Sequence, residues 1–534
     1  MPPEHLHIIK ANDADTEGLW TRRLESFART RESDRVLVKE NAMRRVWRLT
    51  DAAGDFFVKE HFRHGWRQRM QDVLRGDPAF IEFRASQYGL RSGLPVVHIG
   101  ACARWINADS KHVVLTVSAA IENAISLADA FDRIDADAKC TQRKRRLDAL
   151  LEAVAVLFAK AHDAAFVLVD AHPGNILIQT GPTDRPTCFM VDIYDSRLGR
   201  VVDECDAARN LAALNQWFSR RTSRSRRLHF VKHYLAQSRR RGSPEDLKAF
   251  AAQVIAESLR HDRKLERKRD RRIGRGNAFF KACRLAGGRR AWIAVRSRYL
   301  ARALPINEAA FADLGRIESS TPENKPTGVT PVASGDTHTE TWFAQSLRDR
   351  LTWKFLGSPG RRLFRSSWRA LHRGIPAAGG VRCIEGRTLL GLAWSSWTPL
   401  GPNDGQPLPV LLHDVSTADR REALHAVGRL LADTALAGLA IRNPSTHRLW
   451  ATRSRDGRLA VYWSGIDGLP VSRPAPPHIW KWVLNQFVAD PTVRRQLSRT
   501  DRARVIRGFS WRMGAASGGY RSLLREIEEA GAPH

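Results

Sequence analysis

Short runs of β-branched and aromatic residues mark the beginning of the chain as a region of strands. Val36–Val38, Val46–Leu49 and Phe56–Lys59 are rich in the residue types that favour extended structure. The last two runs are separated by Asp51–Gly54, whose Asp and Gly are typical of a tight turn. The pattern therefore predicts a small sheet that contains at least one hairpin.

A helical pattern of hydrophobic residues replaces the strand pattern further along. One buried stripe is formed by Leu147, Leu150, Leu151, Val154, Leu157, Phe158 and Ala161. After it come two short predicted strands, Asn175–Gln179 and Cys188–Asp192, and then further helices, one of which begins at Ser243 with Pro244 in its first turn. Strands followed by helices predict an α+β fold with a small sheet-rich lobe and a larger helical lobe.

A stretch with almost no apolar residues divides the chain. Residues 318–341 are rich in Ser, Thr, Pro and Gly, a composition typical of a flexible linker. A length of 534 residues also favours two or three domains. We therefore predict a first domain over residues 1–317, which ends in a basic extension, and a second domain over residues 342–534.

Composition narrows the cellular setting. No apolar run reaches the roughly 18 residues that a membrane-spanning helix needs, and the N-terminus lacks the pattern of a secretory signal. The six cysteines are scattered without a CxxC pair, which argues against a zinc site or a disulfide framework. These features predict a cytoplasmic protein.

The net charge of +31 favours anionic partners. Between Arg260 and Arg302 there are 16 Lys and Arg residues against three Asp and Glu, and a second basic cluster covers Ser219–Arg227. A docking surface for an anionic membrane or ligand is one interpretation, and an Arg-rich composition spread over solvated faces is the other. No zinc-finger, RNP or homeodomain pattern supports a nucleic-acid partner.

One constellation has the spacing of phosphoryl-transfer chemistry. Asp170 and Asn175 form a D-x-x-x-x-N loop, and Asp192 follows at the end of the second strand after it. Asp170 would orient the acceptor hydroxyl, while Asn175 and Asp192 would supply oxygen ligands to Mg²⁺. Upstream, Lys59 could hold the phosphates of ATP and Glu82 could pair with that lysine. Each residue alone would be ordinary, but the five occur in the right order on the right predicted elements.

At these residues the chain resembles the protein-kinase-like superfamily, and within it the lipopolysaccharide kinases that phosphorylate heptose or Kdo sugars. The resemblance covers about residues 30–240. It extends to a basic nucleotide loop that contains Arg44 and Arg45, a hinge-like segment at Val114–Ser118, and the metal-binding strand that ends at Met190–Tyr194. It implies a bilobal kinase-like domain, ATP and Mg²⁺ as cofactors, and nucleotide contacts from the two arginines.

The departures from the kinase motifs also carry information. Leu168 and Val169 replace the His and Arg of the HRD motif, and Ile193 and Tyr194 replace the Phe and Gly of DFG. Without the HRD arginine, regulation by activation-loop phosphorylation is not expected. The departures favour a small-molecule or sugar kinase over a regulated protein kinase.

The second half resembles a degenerate copy of the first. Arg365–Pro376 repeats the pattern of residues 84–95, and an overlay of the later segments puts Asn443, Arg448 and Ser464 in place of Asp170, Asn175 and Asp192. Leu363 falls at the position of Glu82, and no strand lysine precedes it. We therefore predict a mostly helical, degenerate kinase-like domain without catalysis. An unrelated helical domain is the alternative.

The sequence thus predicts an ATP- and Mg²⁺-dependent phosphotransferase for a sugar hydroxyl of lipopolysaccharide or a related glycolipid, peripheral at the cytoplasmic face of the inner membrane. Two other functions stay open. A soluble small-molecule kinase of the aminoglycoside or choline type would share the D-x-H-x-x-N loop of Asp170, His172 and Asn175. A non-catalytic scaffold that binds anionic ligands would account for the charge.

Overall fold

The structure is a computed structural model of the whole chain. It describes residues 6–11, 18–41, 44–62, 76–106, 112–135, 140–180, 186–219, 221–239, 243–277, 279–285, 288–295, 330–334, 337–388, 391–401, 405–442, 444, 446–453, 459–471 and 477–513. The chain divides into two compact units, Met1–Asp262 and Arg263–His534.

The first unit begins with an antiparallel sheet of six strands. They are β1 (Leu6–Ala11), β2 (Val36–Asn41), β3 (Arg44–Asp51), β4 (Gly54–Phe62), β5 (Ile99–Ile106) and β6 (His112–Ala119). Their spatial order is β1-β5-β6-β4-β3-β2. The predicted hairpin joins β3 to β4, where Gly54 adopts the left-handed conformation that this turn requires (φ 105°).

Helices pack on both faces of this sheet because its strands alternate. Helix α1 (Leu19–Arg29) buries Trp20, Leu24 and Phe27 in a cluster with every second residue of the strands. Helix α2 (Pro78–Arg91) joins the other cluster, which reaches down into the helical part of the unit. Asp77 caps α2 by accepting a hydrogen bond from the backbone N–H of Ala79.

The helical part of the unit surrounds short strands that carry the candidate chemistry. Its helices are α3 (Leu127–Asp135), α4 (Cys140–Asp163), α5 (Glu204–Phe218), α6 (Arg224–Gln237) and α7 (Pro244–Arg272), the last of which continues into the second unit. Its strands are β7 (Ala124–Ser126), β8 (Phe166–Val167), β9 (Ile176–Thr180), β10 (Pro186–Met190) and β11 (Arg197–Leu198). The predicted hydrophobic stripe of α4 lies at the centre of the core.

The second unit contains both strands and helices. Its strands are β12 (Phe280–Arg284), β13 (Arg290–Ala294), β14 (Thr330–Ser334), β15 (Thr337–Phe343), β16 (Gly379–Thr388), β17 (Gly391–Leu400), β18 (Gln406–Pro407), β19 (Leu439–Ile441), β20 (Leu449–Arg453), β21 (Leu459–Trp463) and β22 (Gly468–Pro470). Its helices are α8 (Leu347–Leu356), α9 (Pro359–His372), α10 (Leu408–Asp414), α11 (Thr417–Leu436), α12 (Pro477–Ala489), α13 (Pro491–Gln496) and α14 (Arg499–Met513). The six-stranded sheet β12-β13-β16-β17-β15-β14 departs from the mostly helical domain that the sequence suggested.

The elements of the second unit repeat those of the first in order and register. In each unit a helix with proline in its first turn precedes a long antiparallel pair of strands, β5 with β6 and β16 with β17, and a three-stranded and a two-stranded sheet follow. The same isolated parallel bridge recurs, Val96 with Met190 and Ala377 with Trp463. The repeat that the sequence indicated only weakly is therefore present in the topology, and both units are α+β.

The boundary between the units lies earlier in the chain than the predicted linker. Strand β13 pairs with β16, so residues 290–293 of the basic extension belong to the sheet of the second unit. Within the predicted linker, β14 and β15 pair with each other. Residues 318–329 lie outside the described part of the chain.

No helix in the part of the chain that the structure describes is both long and apolar enough to cross a membrane.

Candidate active site

Three of the predicted residues meet in one chain of ion pairs. Lys59 Nζ lies 2.5 Å from Glu82 Oε1 and 2.8 Å from Asp192 Oδ1. Glu82 is 1% exposed and Lys59 is 14% exposed, so the pairs are largely shielded from water. Burial by itself lowers the pKa of Lys59, but the charges of Glu82 and Asp192 more than offset this effect and raise it. The lysine is therefore held as a fixed cation.

The local sequence explains why these side chains meet. Lys59 lies on β4 opposite Val46 of β3, and its side chain points to the sheet face on which α2 packs. Glu82 stands one turn into α2, on the helix face that is buried. Because Asp77 and Pro78 fix where α2 begins, they also set the height of Glu82 beside the sheet.

Arg44 is a second cation at the same carboxylate. Its two terminal nitrogens lie 2.9 Å from Oδ1 and 2.7 Å from Oδ2 of Asp192, a bidentate pair. Burial alone would raise the pKa of Asp192, but the charges and hydrogen bonds of Lys59 and Arg44 lower it well below its usual range. Asp192 is thus an anion with both oxygens engaged by cations.

Arg45 does not join this group. Successive residues of a strand face opposite sides of the sheet, so Arg45 points away from Arg44. It forms ion pairs with Glu32 at 3.0 Å and Glu40 at 2.7 Å. The structure therefore brings Arg44, but not Arg45, to the predicted nucleotide side of the sheet.

Asp192 is held in an unusual backbone conformation. Its φ of 56° lies in the left-handed region, which residues with a Cβ rarely adopt. The preceding residue, Val191, donates its N–H to the carbonyl of Asn175 at 2.9 Å. This bond connects the residue after β10 to the loop that contains Asn175. The left-handed conformation of Asp192 directs its carboxylate towards Lys59 and Arg44.

The catalytic loop is a compact turn. The amide nitrogen of Asn175 donates to the carbonyl oxygen of Asp170 at 3.1 Å and to its carboxylate at 3.2 Å. His172 closes the turn, because its Nδ1 accepts the N–H of Gly174 at 3.0 Å. Asn175 is buried, whereas Asp170 is exposed where an acceptor hydroxyl could reach it.

A buried polar network that the sequence analysis missed holds this loop from behind. Asn210 on α5 donates to the carbonyl oxygen of Leu168 at 2.6 Å, and its side-chain oxygen lies 2.9 Å from His162 Nε2. The other ring nitrogen of His162 is 2.8 Å from the hydroxyl of Tyr234. One signal was available, since His162 follows Phe158 by four residues and so interrupts the hydrophobic stripe of α4 with a polar residue.

The residues present fit a divalent cation of the magnesium type. Asp192 supplies an anionic oxygen and Asn175 a neutral one, and hard cations of this kind accept such oxygens together with phosphates and water. In the described part of the chain no cluster of three or more His, Cys, Asp or Glu side chains offers another metal site. A cation at Asp192 would have to share its carboxylate with Lys59 and displace Arg44 from at least one oxygen.

The equivalent positions of the second unit carry different residues. Strands β5 and β16 each contain a bulge at the equivalent place. When the two sheets are aligned at this bulge, Lys59 on β4 corresponds to Glu340 on β15. Arg448 takes the position of Asn175 and forms a bidentate pair with Glu340 at 2.5 and 2.9 Å. An anion therefore stands at the position of the lysine, and a cation at the position of the neutral Asn175.

The structure corrects the overlay at its last position by one residue. Ser464 donates its N–H to the carbonyl of Arg448, as Val191 does to Asn175. Gly465, not Ser464, therefore stands at the position of Asp192. A Cβ on Gly465 would come within 3.1 Å of Arg448 and of Trp397, so an aspartate at this position would require one of these side chains to shift. Asn443 lies outside the described residues.

A comparison with protein families gives one match, the lipopolysaccharide kinase (Kdo/WaaP) family, over residues 29–234. The match covers the six-stranded sheet from β2 onward, the ion-pair chain and the catalytic loop. This match indicates a kinase phosphotransferase, as the sequence predicted.

Comparisons with other proteins add little to this assignment. None of the curated proteins matches the chain. Among solved structures, "WaaP in complex with acyl carrier protein" is 19% identical, covers 47% of this chain and 97% of its own, and has a TM-score of 0.34. A rhoptry antigen kinase domain specific to Toxoplasma gondii is 10% identical, covers 42% and 82%, and has a TM-score of 0.28. At TM-scores this low, neither likeness bears on the function of the chain.

Proposed function

We propose that the first unit transfers the γ-phosphoryl group of ATP, with Mg²⁺, to a sugar hydroxyl of lipopolysaccharide or a related glycolipid. The observation that carries the proposal is the chain of ion pairs from Glu82 through Lys59 to Asp192, beside a turn that presents Asp170 and Asn175. The family whose model residues 29–234 match suggests the substrate class.

Each residue has a stated part in the transfer. Lys59, held in place by Glu82, binds the phosphates of ATP, and Asn175 and Asp192 hold the magnesium ion, which would draw charge from those phosphates. Asp170 accepts a hydrogen bond from the sugar hydroxyl and then its proton. The sugar oxygen bonds to the γ-phosphorus as the bond to the β–γ bridging oxygen breaks, and ADP leaves with that electron pair.

Arg44 has two partners in this scheme. It forms a bidentate pair with Asp192. A bound triphosphate would offer the same guanidinium a competing anion of higher charge, and guanidinium pairs well with phosphate. Arg44 would therefore be able to bind the nucleotide phosphates in place of Asp192, which would leave a carboxylate oxygen of Asp192 for the metal.

The second unit has no catalytic role in this proposal. Glu340, Arg448 and Gly465 provide neither a phosphate-binding lysine nor a metal-binding carboxylate, and electrostatic stabilisation by such groups supplies most of the catalysis in phosphoryl transfer. A cleft of about 320 Å³ in this unit is lined by Arg448 and Gly465. We propose that the unit is a pseudokinase.

The excess of basic residues supports peripheral contact of the protein with the anionic cytoplasmic face of the inner membrane. Each Lys or Arg close to an anionic surface adds about 1 kcal/mol of attraction. The segment 260–302 carries the densest positive charge that the sequence analysis found.

A transfer assay tests the proposal. The full chain is incubated with labelled ATP, Mg²⁺ and a membrane glycolipid fraction, and the labelled product is located by chemical degradation. We expect label on a sugar hydroxyl, and none with Asp170→Asn. A parallel panel of aminoglycosides and choline provides the contrary outcome, since label in these small molecules alone would establish the soluble-kinase alternative.

A further inference from the structure

Two rows of arginines face a common space in the second unit. In each row the residues are four apart, a spacing that places side chains on one face of a helix. The first row belongs to the end of α7 and the turn after it, and the second to α9. The rows are Arg263, Arg267, Arg271 and Arg275, and Arg361, Arg365, Arg369 and Arg373.

The space between the rows is a cavity of about 860 Å³, which we name the arginine pocket. All of its lining residues belong to the second unit. Among the described residues that line it, Glu266 and Asp270 are the only acidic ones, so these residues, with eight arginines, carry a net charge of +6. Its volume is in the range of pockets that bind small ligands.

The two carboxylates are already used at one end of the pocket. Asp270 lies 3.0 Å from Arg373 and 3.5 Å from Arg369, and Glu266 lies 3.5 Å from Arg373. Arg365 has no carboxylate within ion-pair distance among the described residues. Its Nε is buried without a hydrogen-bond partner there. The pocket therefore contains guanidinium groups that the protein itself does not neutralise.

The crowding of buried guanidinium groups affects the pKa of Arg365. Burial lowers its pKa, and the neighbouring charges of Arg361 and Arg275 lower it further. Burying a cation beside like charges is unfavourable unless an anion compensates it. The outer row on α7 is exposed, so an anion could reach the inner row from solvent.

The pocket is not a remnant of the nucleotide cleft. Leu363, which follows Pro359 by four residues as Glu82 follows Pro78, faces the cleft of the second unit. In the α9 row, Arg361 lies two residues before Leu363 and Arg365 two residues after it. Two residues correspond to about 200° of rotation, so both arginines lie on nearly the opposite side of the helix from Leu363. The corresponding row on α2 holds Phe80, Arg84, Tyr88 and Ser92, with one cation instead of four. The arginines are a feature of the second unit alone.

We infer that the arginine pocket binds a compact ligand that bears two or more phosphate groups. Guanidinium presents paired N–H donors that match phosphate oxygens, and two opposed rows can grip several phosphates at once. A polyphosphate from solution and the phosphorylated headgroup of a membrane lipid both carry such groups, and the chemistry of recognition is the same. The inference does not depend on the proposed function.

Calorimetric titration of the full chain with inorganic tripolyphosphate at physiological salt tests the inference. The variant Arg267→Gln/Arg271→Gln removes two exposed charges of the pocket. Its matched control, Lys264→Gln/Lys268→Gln, removes two charges from the same helix outside the pocket lining. We expect the first variant to weaken binding about tenfold or more and the control less than about twofold, because charge-assisted hydrogen bonds to phosphate are geometrically specific. Arg365→Gln should give a similar loss from the inner row.

These titrations can overturn the inference, and they also distinguish a soluble ligand from a lipid headgroup. Failure of the wild type to bind tripolyphosphate and phosphatidate-containing vesicles, or equal losses in the variant and its control, would overturn the inference. Binding of tripolyphosphate alone identifies a soluble ligand. Binding of phosphatidate vesicles, but not phosphatidylcholine vesicles, with competition by tripolyphosphate identifies a headgroup. Any tripolyphosphate taken up by the first unit is common to both variants, and the transfer assay with Asp170→Asn reports on the kinase site separately.

Discussion

Asp192 is the proposed anionic metal ligand of the first unit, and its carboxylate is paired with two cations. It accepts bonds from Lys59 and Arg44, and its backbone is held in the left-handed region by the strand that precedes it. Asp170, by contrast, is exposed and contacts only the neighbouring amide of Asn175 among the bonds described for its side chain. Two aspartates of one site can therefore be perturbed separately, one at the metal and one at the acceptor.

Asp170→Asn should abolish transfer and leave nucleotide binding nearly unchanged. The amide cannot take the hydroxyl proton, and loss of a positioned base lowers turnover by about 10²- to 10⁴-fold. Turnover by labelled ATP and affinity by calorimetry are measured on the same preparation. A variant that keeps near-normal turnover would remove Asp170 from the chemistry.

Asp192→Ala should lose most Mg²⁺-dependent ATP binding, because this carboxylate is the one anionic metal ligand that we propose. Calorimetry with ATP in the presence and absence of Mg²⁺ measures the loss. The control is Asp195→Ala, which removes a carboxylate three residues away. If Mg·ATP affinity were unchanged in Asp192→Ala, the metal site would lie elsewhere.

The low pKa of Asp192 leads to a pH prediction. A carboxyl whose folded pKa is depressed contributes stability fully above its unfolded pKa of about 3.9, and this contribution is lost as pH falls towards the folded value. The gap in melting temperature between wild type and Asp192→Asn should therefore be constant from about pH 5 to pH 8 and shrink below about pH 4. A gap that closed between pH 8 and pH 6 would contradict the assignment of Asp192 as the paired anion.

At the scale of elements, helices outside the catalytic loop hold this loop in position. Helix α5 supplies Asn210, which donates to the carbonyl of Leu168, and α4 and α6 supply His162 and Tyr234 behind it. A buried hydrogen-bonded network of this kind fixes one geometry, because leaving any member unpaired is costly. The network therefore anchors the loop at the carbonyl of Leu168.

Asn210→Leu should lower turnover about 10- to 100-fold without changing ATP affinity, because it leaves the Leu168 carbonyl unsatisfied at a cost of about 1–3 kcal/mol and frees the loop to move. Asn215→Leu is the matched control. It lies on the same helix and loses a bond to Ser258 instead. Steady-state kinetics on both variants decide the matter. Equal effects would mean that the network only stabilises the fold.

The elements that could be predicted from the sequence were those with a strong local signal. The β3–β4 hairpin, the stripe of α4 and the D-x-x-x-x-N loop follow from turn residues, periodicity and spacing. The bidentate pair of Arg44 with Asp192 joins residues 148 positions apart, and only the folded chain brings them together. The side to which Arg45 points depended on strand register, which the run of apolar residues did not specify.

At the scale of the whole molecule, the division of the chain was the least predictable feature. Low-complexity composition indicated a linker at residues 318–341, but pairing between β13 and β16 joins residues on opposite sides of it. Such long-range pairing leaves no local trace in composition. The predicted fold class was confirmed for both units, and the corrected register at Gly465 required backbone hydrogen bonds that no alignment of one sequence with itself contains.

The division makes a prediction about fragments. A fragment of residues 1–262 keeps the ion-pair chain, the catalytic loop and the packing of Phe250 and Val254 from α7 against its core. We expect it to turn over ATP in the presence of Mg²⁺. A fragment of residues 263–534 should unfold cooperatively but show no Mg²⁺-dependent turnover, because Glu340 and Gly465 replace the groups that hold phosphate and metal.

A fragment that begins at the end of the predicted linker should behave differently from fragment 263–534. A fragment of residues 342–534 loses β12 to β14 and most of β15, so the strand edge of β16 is left without its partner β13. Exposed edges of this kind favour aggregation. We therefore expect fragment 342–534 to aggregate or melt without cooperativity where fragment 263–534 folds, as followed by circular dichroism and light scattering. Cooperative melting of fragment 342–534 would restore the boundary in the linker, and ATP turnover confined to fragment 263–534 would reverse the assignment of the enzyme to the first unit.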